Sequence, residues 1–250
     1  MSGLVLRLAG PLQSWGEHST FNQRDTLSFP TRSGLIGLLA CAEGVKRDRS
    51  LADYGYDRLR FTVRIDRPGV RMMDFHTIGG GLPRGVPRPD GTQRSRDTAT
   101  IVTRRQYLAD AVFTVAVEGP DDRLARLAEA LLRPRWQPYL GRRSCPPDQP
   151  LLLRSGVADP VADLHTRVPV ARRLREQERP EVEFVTEETL DSAEAVTELA
   201  DVPESFNRYD RRYRTRTVSI ATRSLPKELF MTGEQLWEGL AAYMTKEEER

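Results

Sequence analysis

The hydrophobic and polar positions of the first 155 residues follow the two periods that distinguish strands from helices. Short alternating or β-branched runs predict strands at 4–8, 61–65, 111–117 and 151–153. Apolar residues at helical spacing predict helices at 33–43 and 121–132. The order strand, helix, strand, strand, helix, strand is that of the split βαβ arrangement. The predicted fold class is therefore α+β, with a ferredoxin-like βαββαβ core.

A long insertion, residues 67–107, separates the second and third predicted strands. It contains Gly79-Gly80-Gly81, several prolines, and the arginines Arg84, Arg88, Arg94, Arg96, Arg104 and Arg105. We expect its ends, 72–78 and 98–105, to pair as a β-hairpin with a basic tip. Loops of this length in compact domains are usually functional or disordered. The arginines favour a protruding thumb that grips a polyanion over a disordered, solvated loop.

The remaining residues, 156–250, are predicted to form a smaller β-rich unit that follows a first domain at 1–155. Short strands are expected at 168–171 and 215–221. A terminal helix is expected at 232–244, where Thr232 and Gln235 have the spacing of a capping box. The stretch 181–204 is interpreted as a helix or a flexible connector.

Charge is segregated along this second unit, although the net charge of the chain is only +2. Residues 181–204 hold nine carboxylates and no lysine or arginine, whereas 205–216 hold five arginines, one aspartate and the interleaved Tyr209 and Tyr213. The planar guanidinium of arginine binds phosphate in bidentate fashion and stacks on bases. A high-GC coding bias also favours arginine over lysine, so this preference does not by itself indicate nucleic acid. The acidic stretch is typical of a solvated face or a docking surface.

Length and cysteine usage indicate the compartment. The 250 residues suffice for one or two domains, and no apolar run approaches the roughly 20 residues of a membrane helix. The N-terminus lacks the pattern of a signal peptide, and Cys41 and Cys145 suggest neither a disulfide framework nor a zinc site. We therefore expect a cytoplasmic, reduced protein that has no membrane partner and no metal or other cofactor.

Two neighbouring segments, 10–16 and 29–37, suit anion binding. The second opens the first predicted helix, where Thr31 and Ser33 can cap the N-terminus. Such a terminus presents free N–H groups to phosphate. Arg24 and Arg32 add charge, and Trp15, expected to be exposed, adds a stacking surface. The alternative is an ordinary helix cap beside an irregular loop.

A second candidate segment, 132–146, interleaves arginines with aromatic residues around Gly141. The residues of this segment that could contact nucleic acid are Arg133, Arg135, Trp136, Tyr139, Arg142, Arg143 and Ser144. Charge for phosphates and flat rings for splayed bases are what single-stranded nucleic acid requires. In the alternative interpretation, Trp136 and Tyr139 fill space behind a helix.

Five sequence blocks carry a resemblance to a known family; they lie at 6–16, 29–39, 74–77, 105–111 and 138–146. In this order they resemble the Cas-five-type subunits of subtype I-E CRISPR Cascade complexes, which belong to the RAMP superfamily. The resemblance implies a ferredoxin-like core with a β-hairpin thumb. It also implies that the chain binds and caps the repeat-derived 5′ handle of the guide RNA (crRNA) in a ribonucleoprotein complex of antiviral defence. The implied partners are the backbone subunit CasC, the large subunit CasA and, through the assembled complex, target DNA.

The candidate RNA-binding residues combine both lines of reasoning. They are Gln13, Trp15, Arg24, Arg32, Ser33, His76, Arg104, Arg105, Tyr107, Arg142 and Arg143. We expect Arg32, Ser33, Arg142 and Arg143 to hold phosphates. Trp15 and His76 are expected to meet bases or to make contacts of the thumb.

Catalysis is the main alternative. A metal-independent endoribonuclease acting on repeat RNA needs a general acid and base, for which His18, His76, His165 and the tyrosines are the candidates. His76 has no second histidine near it in sequence, and the resemblance assigns cleavage to a separate subunit, CasE. No paired carboxylates suggest a metal-dependent nuclease. We therefore predict a chain without catalytic residues; a protein-only scaffold subunit is a further alternative.

Overall fold

The computed structural model describes residues 3–17, 22–79, 86–88, 90–92, 94–95, 100–188, 193–207 and 210–245. Within these ranges, eleven strands and four α-helices form a mixed α/β protein with mostly antiparallel sheets. No helix in this described part is long and apolar enough to cross a membrane.

The strands are β1 (Gly3–Ala9), β2 (Leu12–Gln13), β3 (Gln23–Arg24), β4 (Arg60–Arg67), β5 (Val70–Ile78), β6 (Ile101–Ala109), β7 (Val112–Glu118), β8 (Leu152–Val157), β9 (Glu181–Thr186), β10 (Ala195–Phe206) and β11 (Arg211–Ser224). The helices are α1 (Arg32–Glu43), α2 (Asp121–Leu132), α3 (Pro160–Thr166) and α4 (Gly233–Thr245).

A seven-stranded antiparallel sheet forms the centre of the described fold. Its strand order is β10–β11–β9–β4–β7–β1–β8. The four strands predicted in the first 155 residues correspond to β1, β4, β7 and β8, and they lie side by side. The strands after residue 155 extend the same sheet beyond β4, because β9 pairs with β4 and β11 pairs with β9. The division into two domains stays a prediction.

A second, smaller sheet is built around β6. This strand pairs antiparallel with β2 and β5 and parallel with β3. We call the pair of β5 and β6 the β5–β6 ribbon. Its register joins Asp74 to Arg105 and Ile78 to Ile101, so the two ends of the insertion pair as expected. Most of the predicted basic tip lies outside the described residues.

Helices cover both faces of the large sheet. On one face, Leu4, Leu6 and Leu8 of β1 belong to a core that includes residues of α1 and α2. On the other face, Val5 belongs to a second core with Leu164 of α3 and residues of α4. Because successive side chains of a strand point to opposite faces, β1 is buried along its whole length between these two cores.

The boundaries of α1 follow from its capping residues. The side chain of Thr31 accepts a hydrogen bond from the backbone N–H of Gly34, which is the N-cap geometry predicted from the sequence. Gly44 ends the helix with a φ of 75° and donates its N–H to carbonyls of the last turn. This geometry places the start of α1 beside β10 and the turn after it beside the loop at 136–146.

Two secondary-structure predictions for the C-terminal part are wrong. The acidic stretch 181–204 is neither a helix nor a connector; its described residues contribute β9 and most of β10, where Val182, Phe184 and Leu199 are buried between exposed carboxylates. Residues 168–171 form only an isolated bridge, between Val170 and Phe230. The strand predicted at 215–221 lies within β11, and the terminal helix is α4.

Candidate nucleic-acid interface

A groove of about 1090 Å³ opens beside α1. Its lining comes from the N-terminal loops 14–17 and 24–25, from one face of α1 and the turn after it, from the loop 136–146, and from the facing ends of β10 and β11. We call it the basic groove. The two segments that the sequence analysis singled out separately are thus brought to the same concave surface.

Positive charge predominates in the basic groove. Its cationic residues are Arg24, Lys46, Arg47, Arg142, Arg143 and Arg211, and its acidic residues are Glu17 and Asp25. In the described ranges, Arg24, Arg143 and Arg211 form no ion pair with a carboxylate. A concave surface with an excess of unpaired guanidinium groups attracts a polyanion.

Two of these positive charges, those of Arg142 and Arg211, together with Arg105 outside the lining, lie close enough to affect Arg24. Burial and the charges of Arg105, Arg142 and Arg211 lower the pKa of the Arg24 guanidinium. The mutual repulsion of these groups is relieved when an anion is placed among them, because each positive charge then gains a partner. The arrangement is therefore suited to a phosphate.

The loop 136–146 is docked against the N-terminal loops by its backbone. The N–H of Ser14 donates to the carbonyl of Leu140 over 3.1 Å. Gly141 has a φ of 80°, and a Cβ atom built on it would lie 1.7 Å from the carbonyl oxygen of Ser14. Only glycine allows this approach. The loop is consequently held at the edge of the groove.

Arg142 joins the same loops through its side chain. Its Nη2 donates to the carbonyls of Arg24 and Asp25 at 3.1 and 3.3 Å, and its guanidinium lies 4.7 Å from the ring centroid of Tyr107. Tyr107 is buried beneath it, and its contact with RNA stays a prediction. Arg143, the next residue, is exposed, so the loop presents a second guanidinium to solvent.

Trp15 and Gln13 are structural residues, and the prediction that Trp15 is exposed is wrong. The Trp15 side chain is 0% exposed, and its indole N–H donates to Oε1 of Gln13 over 3.1 Å. Gln13, also buried, donates to the carbonyls of Leu8 and Ala111. The ring of Trp15 packs against Gly34 of α1, where an added Cβ would approach it to 2.7 Å. Neither side chain has a surface that RNA can reach.

Arg32 and the N-terminus of α1 are also occupied. The Arg32 guanidinium donates two hydrogen bonds to the carboxylate of Glu187, at 2.6 and 2.8 Å, and its backbone N–H donates to Asp201 over 2.6 Å. Both carboxylates come from the acidic stretch. The expectation that Arg32 and this terminus hold phosphate stays a prediction, although Arg32 already has two carboxylate partners within the protein.

Ser33, Trp136 and Tyr139 face the basic groove. Trp136 is 44% exposed and Tyr139 is half-buried, so Trp136 does not merely fill space behind a helix. The loop reaches this position by packing along α1, where the thiol of Cys41 lies 3.3 Å from the carbonyl of Gln137. An exposed indole beside guanidinium groups is a stacking platform for a base.

The remaining candidates lie on the β5–β6 ribbon and do not line the groove. Nδ1 of His76 lies 3.4 Å from Asp74, on the exposed side of β5. Arg104 stacks 5.3 Å from the ring centroid of Phe75, and Nε of Arg105 donates to Thr103. Of these residues, only Arg105 influences the groove, through its effect on Arg24.

Several residues named from the sequence lie outside the described residues. They are His18, Gly80, Gly81, Arg84, Arg96, Arg208 and Tyr209.

Lys46 and Arg47 were not among the predicted site residues, and the arginine run at 205–216 had no predicted location. Lys46 and Arg47 follow the Gly44 cap, and a basic pair just after a helix beside an arginine-rich loop was the available signal. Arg211 and Tyr213 enter the groove through the pairing of β10 with β11, which no local pattern reveals.

The described histidines, His76 and His165, do not line the groove. His165 on α3 stacks on Phe184, with ring centroids 4.2 Å apart, and burial together with Arg64 and Arg223 lowers its pKa. In the described chain, no cluster of three or more histidine, cysteine or acidic side chains is arranged to hold a metal ion.

Comparison with known proteins identifies the family. Residues 3–219 match the family model described as CRISPR-associated protein (Cas_Cas5). The chain belongs to the Cas5 family of CRISPR-associated proteins. The family resemblance inferred from the five sequence blocks is thereby confirmed.

Individual similar proteins agree with this assignment. The CRISPR system Cascade subunit CasD of Escherichia coli (strain K12) is 38% identical over 192 residues, which cover 71% of this chain and 82% of the relative. A chain of a solved structure described as a CRISPR RNA-guided surveillance complex is 50% identical, with a TM-score of 0.89 and coverage of 98% and 100% of the two chains. A crystal structure of a Cas protein is 32% identical, with a TM-score of 0.63 and coverage of 92% and 98%.

Proposed function

We propose that this Cas5 chain is a non-catalytic subunit of a type I-E Cascade surveillance complex that binds and caps the repeat-derived 5′ handle of the guide RNA. The observation that carries the proposal is the basic groove, which collects unpaired Arg24 and Arg143 beside the exposed ring of Trp136. The names of the relatives, a Cascade subunit and an RNA-guided surveillance complex, agree with it.

The proposed mechanism is recognition of a single strand. Arg24 and Arg143 hold successive phosphates, with Ser33 at the α1 side of the groove, while one base stacks on Trp136. Arg142 positions the loop 136–146 through its hydrogen bonds to the carbonyls of residues 24 and 25. Arg105 adds to the positive electrostatic potential of the groove. Gln13, Trp15, Arg32 and Tyr107 act indirectly, by shaping the elements that carry these groups.

The fold supports the proposed ferredoxin-like core and thumb. The order β4–β7–β1–β8, with α1 and α2 crossing one face, is that of a βαββαβ core, and the β5–β6 ribbon is inserted between β4 and β7. On this interpretation, residues 1–155 form the RNA-binding domain and 156–250 a smaller unit that shares its sheet.

The partners proposed for the complex are the backbone subunit CasC, the large subunit CasA and, through them, target DNA; the compartment is the cytoplasm. The β5–β6 ribbon supports a protein contact. Val70, Met73, Phe75 and Val102 are exposed on it, and β5 pairs only with β6 among the described strands. An apolar strand with a free edge is suited to a neighbouring subunit.

The position of the histidines supports a non-catalytic role over an endoribonuclease. His76 lies on the β5–β6 ribbon and His165 is stacked below the sheet, so neither of these described histidines lines the basic groove. A general base must lie within hydrogen-bond reach of the hydroxyl that it activates.

The test is RNA retention in the assembled complex, purified after co-expression with the partner subunits and a CRISPR array. We expect uniform repeat-derived 5′ ends on the copurified RNA. The double variant Arg24→Gln/Arg143→Gln should bind RNA more weakly, and the slope of log affinity against log salt should fall by about 1.4, since each lost phosphate contact removes about 0.7.

The matched control is Arg173→Gln/Arg175→Gln, which removes the same charge from an exposed loop away from the groove. It should retain RNA as the wild type does. Wild-type salt dependence in the groove variant, or absent RNA in an otherwise assembled complex, would overturn the proposal and favour a protein-only scaffold. Cleaved repeat RNA in the presence of this subunit alone would favour the endoribonuclease.

A further inference from the structure

We propose that the facing ends of β10 and β11 form a second wall of the basic groove, in which Arg211 holds a phosphate and Tyr213 stacks a base of the same RNA strand. The inference rests on the proposed function and adds to it a binding element outside the five blocks that carry the family resemblance. It also gives a location to an arginine run that the sequence left unassigned.

Arg211 and Tyr213 lie in the lining of the basic groove. Phe206, Arg211 and Tyr213 line the groove together with Arg24, Arg142 and Trp136. Phe206 pairs with Arg211 in the β10–β11 register, and Tyr213 pairs with Pro203. Tyr213 is 41% exposed, close to the exposed fraction of Trp136. The first wall of the groove is formed by Arg24 and the loop 136–146, and the second by β10 and β11. Each wall therefore combines an arginine with an accessible aromatic ring.

The arginines of β11 differ in whether they are paired with carboxylates. Arg212 pairs with Asp210, Arg214 with Glu204, and Arg216 with Asp201 and Glu187. Arg211 lines the groove and, in the described part of the chain, has no carboxylate partner. Of the four arginines of the run that the structure describes, three are therefore paired with carboxylates, and the fourth, Arg211, faces the groove.

Electrostatics support this placement. Arg211 contributes, with Arg105 and Arg142, to the lowered pKa of Arg24, although Arg211 and Arg24 belong to different sheets. Positive charge from both walls therefore converges on one region. A phosphate placed there interacts with both walls at once.

The second wall is held in place by buried ion pairs. The carboxylate of Asp201 on β10 accepts two hydrogen bonds from Arg216 on β11, at 2.6 and 2.9 Å, and one from the backbone N–H of Arg32. Arg216 also lies 3.1 Å from Glu187, the partner of Arg32. These contacts tie both strands to the first turn of α1, so the wall is preorganised before RNA binds.

The experiment uses the assembled complex and a 5′-labelled guide RNA with 4-thiouridine in its handle. Tyr213→Ala should increase the RNA dissociation rate about 5- to 150-fold, the range for loss of one stacked base, whereas Tyr213→Phe should retain the wild-type rate. Arg211→Gln should lower the salt slope by about 0.7. Crosslinks of the thiouridine to residues 211–213 are expected in the wild-type complex.

The matched controls are Arg212→Gln and Arg214→Gln, on the same strand but outside the groove lining. They should leave the dissociation rate and salt slope unchanged, with folding checked by thermal unfolding. If Tyr213→Ala and Arg211→Gln bind as the wild type while Arg24→Gln/Arg143→Gln loses RNA, the second wall is overturned and the proposed function stands. If all of these variants bind as the wild type, both fail. Equal losses in the Arg212 and Arg214 controls would also overturn the assignment to Arg211.

Discussion

The backbone N–H of Arg32 donates to the carboxylate of Asp201 over 2.6 Å, and so joins the first turn of α1 to β10 across 169 residues of sequence. A helix N-terminus attracts anions, and here the protein supplies the anion itself. This contact brings β10, the strand that carries Asp201, to the edge of the basic groove. The terminus that the sequence suggested for phosphate instead positions the surface that we propose binds it.

Asp201 should be essential for stability. Asp201→Ala leaves the buried N–H of Arg32 without its acceptor and leaves Arg216 with Glu187 as its carboxylate partner. We expect a loss of about 2–4 kcal/mol in the free energy of unfolding, because one buried donor is unsatisfied and the hydrogen bonds of Arg216 to a charged acceptor are lost. The control Glu204→Ala removes the partner of the exposed Arg214 and should cost at most about 1 kcal/mol. Urea unfolding of both variants measures the difference; equal losses would contradict a structural role for the buried pair.

Substitution by alanine should change the free energy of unfolding by different amounts at two glycines with similar backbone angles. Gly141 (φ 80°) and Gly156 (φ 74°) share the left-handed penalty of about 1–2 kcal/mol, but only at Gly141 does an added Cβ meet backbone. Gly141→Ala should therefore destabilise the protein well beyond Gly156→Ala and displace the loop 136–146. Chemical unfolding gives the two free energies, and RNA binding should weaken in Gly141→Ala alone. Matching results for the two variants would show that this close approach does not determine the position of the loop.

How far the sequence predicts this molecule depends on the range of the interactions involved. The strands β1, β4, β7 and β8 and the caps of α1 were predictable, since Thr31, Gly44 and the alternation in β1 act within a few residues. The two-residue strands β2 and β3 were not predicted. The ion pair of Arg32 was not predicted because its partner, Glu187, lies 155 residues away. Trp15 was misassigned because its burial depends on α1 packing over it. The strands β9 and β10 were missed because their high charge conceals the few buried apolar positions.

Substitution of Trp15 should lower stability, whereas substitution of Trp136 should weaken RNA binding. Trp15→Ala empties a buried site and should cost about 3–5 kcal/mol of unfolding free energy, through loss of packing and of the bond to Gln13. Trp136→Ala removes an exposed ring, so it should change stability little and weaken RNA binding. Unfolding measurements combined with RNA affinity per folded molecule test both. RNA affinity lost only through Trp15, with Trp136→Ala neutral, would reverse our assignment of the stacking residue.

His165 should make stability depend on pH in the mildly acidic range. Burial, together with the charges of Arg64 and Arg223, lowers the pKa of His165 in the folded protein, so the unfolded chain binds the proton first as the pH falls. This contribution is fully present above about pH 6.5 and is lost as the pH falls from there towards the lowered pKa, at up to about 1.4 kcal/mol per pH unit. His165→Phe keeps an aromatic ring against Phe184 and removes the titration. Its unfolding free energy should therefore fall less than that of the wild type between pH 7 and pH 5, as measured by urea unfolding. Parallel curves for the two proteins over that range would show that His165 is not the group responsible.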